Sequence, residues 1–343
     1  MNNVFVDTIK GIKRERPPVW FMRQAGRIIP DYLKLREKYS FHELMNTPEL
    51  AAKVTLQPVH LLGVDAAILF SDILVIPEAM GMKLEFTDKG PRFDTALKDI
   101  NDPVGYLDAN PEKLNHVYGA IDAIMATKPT DTPLIGFCGA PLTTLFYMIQ
   151  GISSNHQFPD AVEMMYRDKE TTNRLFEAVT DLSIEYALSQ VKHGISAFQL
   201  FDTHAGLIPY PLYNEMVMPH VKRILSAVQE TGTPVIFFPK GLGAGMKALK
   251  GEKFDFVGVD WQMSIEDAKE MVGSDIGVQG NLDPRILTSD PYTIQRELEK
   301  YLPFGKREHK WIFNLGHGVL PNIPFENVRF VVDWIKTVDW KRS

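Results

Sequence analysis

The chain has 343 residues, a formal net charge of −6 at pH 7, an apolar fraction of 45% and a charged fraction of 23%, the balance of an ordinary soluble globular protein. The acidic total argues against sequence-independent nucleic-acid binding. No apolar run reaches the roughly 18 residues of a membrane span. The single cysteine, Cys138, excludes an internal disulfide and fits a reducing compartment. Residues Met1 to Asp7 lack the basic-then-apolar plan of a signal peptide. The expectation is a cytoplasmic enzyme with neither a nucleic-acid nor a membrane partner. The length suits two domains or one closed α/β barrel.

Short apolar runs predict strands at Val19–Met22, Ala66–Phe70, Leu134–Phe137, Ala197–Phe201, Val235–Phe238, Phe256–Val259, Ile276–Val278 and Trp311–Phe313. They are continuous rather than alternating, the mark of strands buried on both faces. Helical patterns lie between them. Ser264–Gly273 is the clearest, with serine near its start and glycine at its end. This alternation predicts a parallel sheet built from βαβ units, and eight of them suggest a (β/α)8 barrel over an open doubly wound sheet. After the second strand, Gly81–Pro103 is predicted as an irregular insertion or hairpin, a connection long enough to help build a site.

The residues that end these runs carry the chemistry. Arg23-Gln24-Ala25-Gly26-Arg27 follows the first, Ser71-Asp72 the second, Cys138-Gly139-Ala140-Pro141 the third and Asp202-Thr203-His204-Ala205-Gly206 the fourth. Lys240-Gly241, Asp260-Trp261, Gly280-Asn281-Leu282-Asp283-Pro284 and Asn314-Leu315-Gly316-His317-Gly318 follow the rest. Barrel active sites lie at the carboxyl ends of the strands, so a barrel would gather Arg23, Arg27, Asp72, Thr203, His204 and His317 at one mouth.

Each of these residues also has a plainer reading. Two arginines around a glycine form a fork for an anion, or a structural pair for nearby carboxylates. Asp72 is either a helix cap or a carboxylate inside a pocket. His204 and His317 beside glycines are structural or functional. Gly241-Leu242-Gly243-Ala244-Gly245 lacks the dinucleotide spacing and is better read as a tight loop. Cys138 reads as a buried inert thiol, and Tyr147, in an apolar helical stretch, as core or ligand contact. Without a His-x-x-x-His or a cysteine pair, no metal site is expected.

Six segments in order carry a specific resemblance over nearly the whole chain. They are Pro18–Arg27, Phe70–Leu74, Gly136–Pro141, Phe201–Gly206, Gln279–Pro284 and Phe313–Gly318. The chain resembles the uroporphyrinogen decarboxylase family. The resemblance implies one domain spanning 1–343, a single, somewhat distorted (β/α)8 TIM-type barrel, usually a homodimer. It implies removal of carbon dioxide from the four acetates of uroporphyrinogen III, giving coproporphyrinogen III in haem biosynthesis, with no metal or organic cofactor. It places substrate binding on Arg23, Gln24, Ala25, Gly26, Arg27, Asp72, Tyr147, Thr203 and His317. The catalytic candidates are Asp72, Arg23, Arg27, Tyr147 and His317. The chain departs from the family pattern at Ile152-Ser153-Ser154-Asn155, at Gln262-Met263 and at Phe325, where loop contacts are expected to differ.

Two other readings remain open. A methyltransferase of the same superfamily would need a zinc-thiolate site, which one cysteine makes hard to build. A non-catalytic tetrapyrrole carrier would need the arginine fork but not Asp72.

Overall fold

The computed structural model describes residues 3–87, 90–152 and 157–340. Seven of the predicted strands form one curled parallel sheet. In ring order these are β1 (Ala67–Ile68), β4 (Leu134–Gly139), β5 (Ala197–Asp202), β6 (Val235–Pro239), β7 (Phe256–Gly258), β8 (Gly277–Gln279) and β9 (Trp311–Ile312). The remaining pair, β2 (Leu84–Thr87) and β3 (Gly90–Phe93), is an antiparallel hairpin within the predicted insertion. Asp88 and Lys89, and Ser153-Ser154-Asn155 of the first family departure, lie outside the described residues.

The first predicted strand is corrected. Val19–Met22 forms no strand, only a parallel bridge between Val19 and Phe313. Prolines at 17 and 18 supply no N–H to a ladder, and the following amides turn to side chains. The Val19 N–H donates to Asp65 Oδ2 at 2.8 Å, Phe21 N–H to Gln24 Oε1 at 2.9 Å and Met22 N–H to Asn314 Oδ1 at 3.1 Å. The segment nevertheless closes the ring. Phe313 N–H donates to Pro18 O at 2.9 Å on one side, and Asp65 N–H to Val19 O at 2.8 Å on the other. It therefore occupies the eighth place of a barrel without strand geometry.

The interior carries a polar row among apolar side chains. Trp20 Nε1 donates to Gln279 Oε1 at 3.1 Å, and Gln279 Nε2 to Gln199 Oε1 at 3.1 Å. Gln199 and Gln279 are buried. The row joins the closing segment to β8 and β5, which are not sheet neighbours, so it spans the barrel.

Outside, helices cover the sheet. The helix predicted at Ser264–Gly273 runs Ile265–Val272, with Ser264 accepting from Asp267 N–H at 3.0 Å and Gly273 at φ 84° ending it. This is the side-chain cap and glycine stop that the sequence pattern expects. Phe325, a family departure, opens the last helix, Phe325–Thr337. The β2–β3 hairpin docks on the end of the Pro141–Gln150 helix, where Phe93 N–H donates to Gly151 O at 2.8 Å.

Gln24 ties the closing segment to β1. Its Nε2 donates to Ala66 O at 2.9 Å while its Oε1 caps Phe21 N–H. Gln24→Leu therefore costs two buried hydrogen bonds, or about 2–4 kcal/mol. Urea unfolding monitored by circular dichroism should show that loss.

Candidate active site

The path from Phe21 to Ile29 sets the site. Arg23 (φ 61°) and Arg27 (φ 45°) both adopt left-handed backbone, as does Gly26 (φ 91°) between them. For a residue with a Cβ this conformation costs roughly 1–3 kcal/mol and persists where surrounding contacts enforce it. Turn bonds from Gln24 N–H to Phe21 O (3.0 Å) and Ile29 N–H to Gly26 O (3.1 Å) do so here. Gly318 clears the way: a Cβ there would collide with the Arg23 stem. Neither guanidinium has an ion pair or hydrogen bond within the described residues. The structural-pair reading of the two arginines thereby loses its partners.

Both arginines open into a cleft at the carboxyl ends of the strands, with about 990 Å³ of empty space continuous with solvent. Ala25, Gly26, Asp72, Thr203 and His317 also line it. Asp72 is half-buried, and its Oδ1 accepts from Leu74 N–H at 2.8 Å. It is therefore both a local turn acceptor and a cleft carboxylate. Burial raises its pKa, opposed by the Leu74 N–H and the Arg23 charge.

The protein surrounding Arg23 lowers its pKa although the side chain is exposed to the cleft, and Tyr147 and Asp72 push it back up. Burial and the Arg23 charge bring Arg27 down to about 10. Burial and Asp72 raise Tyr147, which keeps its phenol protonated. Burial, then Arg23, Lys240 and Arg27, depress His317 to about 3, so its imidazole is neutral.

Three predicted residues, Gln24, Tyr147 and His204, stand back from the cleft surface. Gln24 is buried, with both ends of its amide held by backbone. Tyr147 is not part of the cleft lining; it meets His204, with Nε2 and the phenol oxygen 3.3 Å apart. His204 itself packs on Phe158, ring centres 4.6 Å apart. Among the described residues of the 81–103 insertion, expected to help build the site, none lines the cleft. The third run ends in an inert thiol: burial pushes Cys138 up to about 12. The 241–245 stretch is only partly the expected tight loop: Gly241 turns against Asp260, whose Oδ2 accepts its N–H at 2.5 Å, and Gly243 opens a short 3-10 helix, Gly243–Leu249.

Sequence reasoning missed the apolar walls, formed by Tyr32, Phe41, Phe70, Phe137, Phe201 and Phe238. Phe137, Phe201 and Phe238 lie in edge-on contact at 5.6 and 6.2 Å. Their signal was present as large aromatics near the ends of successive strands. Glu78 was also missed. Burial and the Asp72 charge raise it to about 7, with Lys113 opposing.

Fold and cleft together define an α/β-barrel enzyme whose mouth holds paired cations and one carboxylate between aromatic walls. A family model described as uroporphyrinogen decarboxylase (URO-D) matches residues 1–338. A uroporphyrinogen decarboxylase of Citrifermentans bemidjiense is 41% identical over 99% of this chain and 100% of its own. One from Syntrophotalea carbinolica is 42% identical over 96% of each. A methyltransferase from Methanosarcina mazei shares the fold at a TM-score of 0.75, with 19% identity over 96% of both chains. The chain belongs to the uroporphyrinogen decarboxylase family. Among the described residues, no helix is long and apolar enough to cross a membrane, and no three His, Cys, Asp or Glu side chains group as a metal site.

Gly318→Ala should displace the Arg23 guanidinium and weaken binding of a polycarboxylate about tenfold. Isothermal titration would measure this, with the unfolding midpoint nearly unchanged.

The depressed His317 pKa has a definite sign. Between the unfolded value near 6.5 and about 3, the unfolded chain binds a proton that the folded chain refuses, so stability falls as pH drops through that window. His317→Gln should therefore lose less stability than the parent between pH 7 and pH 4.5, as read from paired urea midpoints.

Proposed function

We propose that this chain decarboxylates the four acetate side chains of uroporphyrinogen III to methyl groups, giving coproporphyrinogen III, and needs no metal or organic cofactor. The single observation that carries this reading is the pair of guanidinium groups, Arg23 and Arg27, that share one cleft with Asp72 and have no ion-pair partner among the described residues. A substrate with eight carboxylates supplies the missing anions. Its pyrrole rings match the aromatic walls, and its N–H groups match a carboxylate. The curated relatives carry the same activity in their names.

The electron sink is the substrate itself. Protonation of a pyrrole carbon makes the ring cationic. The bond from the acetate methylene to its carboxyl carbon then breaks, carbon dioxide leaves, and the electron pair neutralises the ring. A second proton on the methylene carbon completes the methyl group, and the ring carbon then gives up the first proton, restoring the neutral aromatic pyrrole with one proton consumed overall. Asp72 stabilises the cationic ring, and such aimed charge is commonly worth about 3–4 kcal/mol. Arg23 and Arg27 hold peripheral carboxylates, and each charged hydrogen bond is worth roughly 1.5–3 kcal/mol. Thr203 and neutral His317 add hydrogen bonds without adding charge. Arg27, brought down to about 10 by burial and the Arg23 charge, is the cleft cation moved toward the range a general acid needs, whereas the raised Tyr147 phenol is a weaker acid than a free one. The family resemblance supports a homodimer, and the single cysteine supports a cytoplasmic setting.

The test is anaerobic incubation with uroporphyrinogen III, oxidation, and chromatography of the porphyrins. Products with seven, six, five and four carboxyls are expected; unchanged substrate would identify a carrier instead. In the same assay Asp72→Ala should keep its fold and lose at least about a hundredfold in kcat/KM. Near-normal turnover would remove Asp72 from its role.

A further inference from the structure

We propose that Lys240, resting over the Trp261 ring, is a further anion subsite that holds a peripheral carboxylate of the tetrapyrrole on the side of the mouth away from the arginines. This rests on the function proposed above and extends it to a residue outside the six matching segments.

The lysine is anchored rigidly. It follows β6 directly; its N–H donates to Asp202 O at 3.0 Å and its carbonyl accepts from Gly206 N–H at 3.0 Å. The two loops cross so closely that a Cβ on Gly206 would run into the Gly241 carbonyl. Beneath them the buried Asp202 carboxylate accepts from the Thr143 and Tyr213 hydroxyls, each at 2.6 Å.

The ammonium itself is unmatched. Lys240 Nζ sits 5.4 Å from the centre of the Trp261 ring, within cation–π range. Arg285 lies at the same 5.4 Å from that ring. The Arg285 charge is already taken by Asp283, through Nε at 2.9 Å and Nη2 at 2.5 Å. Lys240 has no carboxylate within ion-pair distance among the described residues. It is half-buried, in a chain that is acidic overall.

Its place in the ring matters. Starting from the closing segment, β6 is the fifth of eight positions, opposite the segment that carries Arg23 and Arg27. Trp261 reaches back toward the cleft, its ring 6.2 Å from that of His317, and Lys240 joins the two arginines in depressing that imidazole. A macrocycle with carboxylates on every side meets cations at one edge only, unless Lys240 serves the opposite edge.

The test uses Lys240→Met and Lys240→Arg. With uroporphyrinogen III, Lys240→Met should raise KM about tenfold, lower kcat by a smaller factor and flatten the salt dependence of KM. Lys240→Arg should recover most of the loss. A KM unchanged in Lys240→Met, or a loss that Lys240→Arg does not recover, overturns the subsite. Equilibrium titration of oxidised uroporphyrin III, followed by absorbance, separates this from the activity. If the parent protein turns over nothing yet binds uroporphyrin more tightly than Lys240→Met, the subsite stands and the decarboxylase reading falls. Equal affinities overturn the subsite whatever the turnover.

Discussion

The structure depends on how the barrel is closed. Seven places in the ring are filled by ordinary parallel strands; the eighth is filled by Pro18–Met22, which has almost no ladder of its own. Side chains do the work a ladder would do. Asp65 takes the Val19 N–H and is held by Arg16 through two bonds of 2.7 and 2.8 Å. Gln24, Asn314 and Gln279 hold the next three residues. Because the chain is not bound to strand geometry, it can turn sharply at its end. Arg23 and Arg27 leave that turn in left-handed backbone, with their guanidinium groups over the mouth. A regular strand would have alternated its side chains between barrel interior and exterior.

The second organising fact is partial desolvation without an ion pair. Arg23 opens to the cleft and Arg27 is half-buried, neither has a carboxylate within ion-pair distance among the described residues, and half-buried Asp72 faces the same cleft. Desolvation moves each toward its neutral form, and their mutual attraction opposes this for Arg23 and Asp72. Such an arrangement is costly in the empty protein and is relieved when an anionic ligand brings its own charges. The net charge of −6 is compatible with a polyanionic substrate because the positive field is local to the mouth. Neutral His317 belongs to the same balance, since burial first and the surrounding cations second keep it from adding another charge.

Much of this was legible in the residues. The apolar runs located seven strands within a few residues, because a strand buried on both faces must be continuously apolar. Ser264 and Gly273 bounded their helix, because cap chemistry is local. The insertion after the second strand contained its hairpin. Strand-end position grouped Arg23, Arg27, Asp72, Thr203 and His317, because carboxyl ends of parallel strands share one face. The Val19–Met22 strand was misjudged because its hydrogen-bond acceptors, Asp65 and Asn314, lie far away in sequence. Gln24 looked like a site residue because its neighbours are; only the position of Ala66 turns its amide inward.

The sequence by itself determined the parallel α/β architecture, the family and the chemical types gathered at the strand ends, since periodicity and motif order are properties of the chain. Tertiary structure alone decided which charges meet a partner. Arg285 and Lys240 flank one tryptophan, yet Asp283 neutralises the first and nothing in the described residues neutralises the second. Pairing depends on distances across the ring, and those distances exist only once Pro18–Met22 has closed it.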